Sequence, residues 1–167
     1  MSFDYISKID GIVDVLRAHN TVTASPYLSS SLTTKIVDEV IVNDDPQSRG
    51  LRNDQYPAIF VRLATAEEEF SGLGPTGPSG AYKTKNLVFD LLGFYRREGA
   101  VQTNEQLMNE TYQLAQNIEA VLRTEFTASG TALWINPRAV DFLGPFNDGT
   151  SWVKVVQMQI EGKYHFR

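Results

Sequence analysis

Cysteine is absent from this chain of 167 residues, which excludes a disulfide framework and any thiolate metal site. Histidine is scarce, with only His19 and His165, and no H-x-x-x-H, H-E-x-x-H, G-x-S-x-G or Walker pattern occurs. Positive charge is thin: 15 Lys+Arg stand against 20 Asp+Glu, a formal charge of −5, and the longest basic run is Arg96-Arg97. The field that gathers nucleic acid is therefore missing, and sequence-specific reading of DNA is not expected. No apolar run approaches the roughly 20 residues of a membrane span. The opening MSFDYISKID lacks the basic segment and long apolar run of a signal peptide. These absences together predict a soluble protein, cytosolic at synthesis, with no membrane partner.

What is present suffices for one core. Apolar residues make up 42% of the chain, and its length is that of one ordinary domain, so residues 1–167 are read as a single domain. Tyr5 to Ala18 read as an amphipathic helix with Ile6, Ile9, Ile12 or Val13, and Leu16 on one stripe. Asp4 is its N-cap and Asn20 its stop; His19, at the helix end, reads as a cap. Lys35 to Asn43 is rich in β-branched residues and reads as a strand, with a bulge near Asp38-Glu39 where alternation breaks. YPAIFVRLATAEEEF and YKTKNLVFDLLGFYRR read as the next two strands. The second of these is apolar on both faces from Leu87 to Tyr95, the mark of a central strand or of a subunit contact.

TNEQLMNETYQLAQNIEAVLRTEF is the clearest helix. Leu107, Thr111, Leu114, Ile118 and Val121 or Leu122 form its stripe, Thr103 with Gln106 a capping box, and Ala128 to Gly130 its stop. ALWINPRAVDF supplies a short strand or two, and LGPFNDG a turn. SWVKVVQMQIEGKYHFR closes the chain as a long strand. Val156, Met158, Ile160, Tyr164 and Phe166 lie on one face, Gly162 falls in register among them, and polar residues occupy the other. Three strands follow one another without helices, which favours antiparallel pairing. The predicted fold is α+β, a mixed and mainly antiparallel sheet with both helices on one face.

Between the second and third strands, FSGLGPTGPSGAY holds four of the twelve glycines and two of the seven prolines. Gly72, Gly74 and Gly77 spell the dinucleotide fingerprint, but that motif needs a helix N-terminus behind its glycines. Pro75, Pro78 and β-rich sequence follow instead, so the match is compositional. GPTGPSG also spells two collagen triplets, too few for a triple helix. The stretch, at about 70–82, reads as a long hairpin tip able to order against a neighbouring subunit. Glu67 to Glu69 read as a solvated strand end, Asn43 to Asp45 lack the spacing of a calcium loop, and Arg96-Arg97 read as a solvated strand edge or a site for an acidic neighbour. No catalytic constellation, metal site or cofactor site is predicted.

Five stretches carry a resemblance by arrangement: the opening helix YISKIDGIVDVLRAH; YPAIFVRLA running into the glycine-rich tip; NLVFDLLGFYR; the helix LMNETYQLAQNIEAVLRTEF; and the closing strand WVKVVQMQIEGKYHF. In that order they resemble the tail terminator proteins of tailed bacteriophages. The resemblance implies a structural virion protein without enzymatic activity or cofactor. It would form a ring, usually hexameric, on the head-proximal end of the tail tube. Its partners would be further copies of itself, the tail tube protein and the head–tail connector or neck proteins, with DNA passing through unread. The implied location is the virion, after assembly in the host cytoplasm. A neck or head-completion protein has a similar outline. A soluble enzyme or ligand-binding domain with a site scattered along the chain is the reading from another class. A ring needs a heterologous interface that closes on itself. The residues expected to supply it are Gly72, Leu73, Gly74, Gly77 and Gly80 of the tip, Arg49 and Arg52 of the loop Asp44 to Gln55, and Leu91, Phe94, Arg96 and Arg97 of the third strand.

Overall fold

The computed structural model describes residues 3–21, 23–26, 28, 39–42, 55–70, 83–98, 103–147, 149 and 151–166. The elements are α1 (Tyr5–Ala18), β1 (Glu39–Val42), β2 (Ala58–Phe70), β3 (Lys83–Glu98), α2 (Thr103–Thr124), β4 (Trp134–Asn147) and β5 (Ser151–Phe166). The strands form one sheet in the order β1-β2-β3-β5-β4. β1 runs parallel to β2, and every other neighbouring pair is antiparallel. The predicted class, α+β with a mixed and mainly antiparallel sheet, is the one observed. The expectation that the first three strands would all pair antiparallel fails at β1. Asp38, half of the predicted bulge, lies outside the described residues.

Both helices cover the same face. Ile12, Val13, Val15 and Leu16 of α1 and Leu107, Leu114, Ile118, Val121 and Leu122 of α2 join one buried cluster. From the sheet it takes Ile59 and Val61 of β2, Leu87, Phe89 and Leu91 of β3, and Val156, Met158, Ile160 and Tyr164 of β5. The period-two pattern of β5 is thus used as written from Val156 to Tyr164: Val156, Met158, Ile160 and Tyr164 meet the helices. Ile6 is an exception to the α1 stripe, since its first-turn side chain is 71% exposed. Two glycines let the layers approach. A Cβ on Gly93 would stand 2.7 Å from Val156 Cγ1 and 3.3 Å from Leu114 Cδ2. A Cβ on Gly11 would meet Thr131 Oγ1 at 2.7 Å, so the glycine that weakens α1 is the one that seats it against the turn after α2.

The helix ends follow local chemistry. Asp4 caps α1 by accepting the Ser7 N–H at 3.2 Å, satisfying one of the donors a helix start leaves open. His19 is the C-cap: its backbone N–H donates to the Val15 carbonyl, and its Nδ1–H to the Pro26 carbonyl. The side chain of Thr103 lies outside the described residues, and with it the predicted capping box. Gln106 instead accepts from Arg97 Nη1 at 3.2 Å. α2 ends at Thr124, and Ala128, Ser129 and Gly130 follow in the left-handed region (φ 46°, 56° and 84°). LGPFN is not a turn. Leu143 to Asn147 continue β4, which pairs with β5 through Phe142↔Val156, Leu143↔Val155 and Phe146↔Val153. A register shift between Leu143 and Phe146 absorbs Gly144 (φ +89°) and Pro145 as a bulge, which lets turn residues sit inside a strand.

Candidate interaction surface

The sheet face turned away from the helices has a pattern of its own. Ala58, Phe94, Val155 and Leu143 stand opposite one another across β2, β3, β5 and β4, an apolar row running the width of four strands. Arg96, Val153 and Phe146 form the adjacent row. At the β2 end, Phe60 and Ala58 are buried with Leu92 and Phe94 packed against them, and the Phe60 and Phe94 rings meet edge to face at 5.3 Å. Exposure is greatest at the far end: Ala58 is 0% and Val155 7% accessible, Phe94 between them is part-exposed, and Leu143 is 41% accessible with Phe146 beside it at 55%. The row opens to solvent at the sheet's edge.

That edge is apolar on its other side too. Phe142 of β4 and Tyr112 of α2, both more than a third exposed, meet edge to face at 4.6 Å. The buried Lys154 ammonium lies 5.2 Å from the Tyr112 ring centre, a cation–π contact in which the ring face compensates the charge. The backbone of the edge is guarded. Ile135 N–H is taken by the Phe126 carbonyl, Pro137 and Pro145 lack an N–H, and register shifts interrupt β4 at Arg138 and at Gly144-Pro145. Prolines and bulges discourage strand addition. The side chains are unguarded, and exposed apolar patches on a folded surface mark contact sites. The edge thus leaves apolar side chains in solvent while its backbone is interrupted.

The far half of the same face is polar. Arg62 holds the buried Asp90 through Nε (3.1 Å) and Nη2 (2.8 Å) on one carboxylate oxygen. Beyond it on this face Glu69 pairs with Lys163 at 2.9 Å, while on the helix side of the same strand end Glu68 pairs with Lys83 at 2.8 Å. Glu67 to Glu69 are thus an exposed strand end, as predicted, two of whose carboxylates are paired across strands. Hydrogen bonds from Lys83 and Lys163 respectively hold Glu68 and Glu69 below the usual carboxylate range.

The predicted contact residues divide accordingly. Gly72, Leu73, Gly74, Gly77, Gly80, Arg49 and Arg52 lie outside the described residues. Leu91 is fully buried under the helices; β3 is a central strand, and the core takes this side chain. Arg97 is on the helix side of that central strand rather than at a solvated edge, and the acidic neighbour it binds belongs to its own chain. Its Nε and Nη2 donate to both carboxylate oxygens of the buried Glu110, which raises the guanidinium above its ordinary pKa. Phe94 and Arg96 do lie on the outer face. The register sets them in line with Leu143 and Phe146 across β5, and the Arg96 guanidinium stands 5.7 Å from the Tyr56 ring centre. The sequence pattern places Phe142 at the end of the strand stretch ALWINPRAVDF, without marking it as a contact residue, whereas Leu143 and Phe146 fall in LGPFNDG, whose Gly, Pro, Asn and Asp are turn residues. The available signal was two large apolar residues, Leu143 and Phe146, in a stretch that a turn would leave polar.

Among the described residues no group of three or more His, Asp or Glu is placed to hold a metal. No described helix is long and apolar enough to cross a membrane. Neither protein-family models nor curated proteins match the sequence.

Proposed function

We propose that this protein is a structural component of a tailed-phage virion, the tail terminator. It forms a homohexameric ring at the head-proximal end of the tail tube, stops tube polymerisation and joins the tail to the head connector. It carries out no chemistry of its own. The order of elements along the chain supports this reading, and one observation carries it: the apolar row of the outer sheet face runs out at an exposed edge through Leu143 and Phe146. A closed ring requires each copy to present one surface to a different surface of the next. An edge that is guarded in its backbone and apolar in its side chains suits side-by-side packing without open-ended strand addition. The net charge of −5 lets DNA pass without sticking. Electron microscopy of the purified protein, with and without purified tail tubes, tests the reading. Rings that cap the tubes and limit their length are expected. A protein that stays monomeric at high concentration and leaves tube length unchanged overturns it, and rings that bind the connector but not the tube assign the protein to the neck instead.

A further inference from the structure

We draw no further inference here: the strongest candidate outside the surface already described, the buried Asp90 carboxylate on the outer face of β3, whose Oδ1 has no hydrogen-bond partner among the described residues, carries nothing, because Arg62 already neutralises it through Oδ2 and the other orphaned oxygen on that face, Asn86 Oδ1, lies four positions along the same strand, about 13 Å away by strand geometry and too far to share a ligand.

Discussion

Arg97 and Glu110 form an unequal pair. The Glu110 side chain is 2% exposed and that of Arg97 31%, so the two halves respond differently to loss of the other. Removing Arg97 leaves a carboxylate in the interior with no compensating charge, a loss of about 3–5 kcal/mol. Removing Glu110 leaves a guanidinium that water already reaches, and costs about 1–3 kcal/mol for the lost charge-assisted bonds. Urea unfolding of Arg97→Ala and Glu110→Ala should rank them in that order; the reverse ranking removes the basis for calling Glu110 the dependent partner. Tyr164 shows the opposite economy. Its hydroxyl is buried without a hydrogen-bond partner among the described residues, and burial pushes its pKa up. The ring supplies the stabilisation: it lies over Gly162, where an added Cβ would stand 2.8 Å from Cε2, and meets Phe89 edge to face at 6.3 Å. Tyr164→Phe should therefore leave the melting temperature unchanged or raise it, while Tyr164→Ala should cost about 3–5 kcal/mol. A Phe variant as damaged as the Ala variant would show that the hydroxyl has a partner after all.

Between elements, close approach and cross-strand charge decide. β3 meets α2 and β5 at Gly93, and Val156 cannot swing aside easily because a β-branched side chain is stiff at χ1. Gly93→Ala should destabilise by about 1–3 kcal/mol through overpacking, measurable as a lower urea midpoint; an unchanged midpoint means the layers are looser than the 2.7 Å approach implies. At the polar end of the sheet, Glu68 and Glu69 titrate below their unfolded value of 4.5. Carboxylates depressed in the folded state stabilise it above the unfolded value, and that contribution disappears as pH falls through the folded value. Stability should decline in the acid range below about 4.5 by a small, salt-screened amount, and Glu69→Gln should reduce the decline. A decline of the same size in Glu69→Gln would place its origin elsewhere. The elements themselves were legible in the sequence where one period ran long enough. α2 and β5 lie where their stripes put them, and so do the buried faces of β2 and β3. The second half of β4, from Leu143, was not legible, because Gly144 and Pro145 are turn residues outside a bulge, and a bulge is set by the partner strand.

For the molecule as a whole, the proposed ring contact makes a sharp demand on two residues. Leu143→Asp with Phe146→Asp places charge on side chains that are already in water, so the monomer should unfold within about 0.5 kcal/mol of the parent, as surface substitutions usually do. Ring formation, read by light scattering and imaging, should be abolished. Rings that survive the double substitution assign the contact to another surface. Composition excluded disulfides and thiolate metal sites, and patterning determined the α+β class with both helices on one side of the sheet, because burial follows from the spacing of apolar residues along the chain. Only the tertiary structure decided which apolar residues remain for a partner. From sequence, Leu91 is expected at a contact and Leu143 in a turn; the first lies on a central strand beneath two helices and the second on an open edge, and strand order depends on pairings between segments distant along the chain, which no local pattern records.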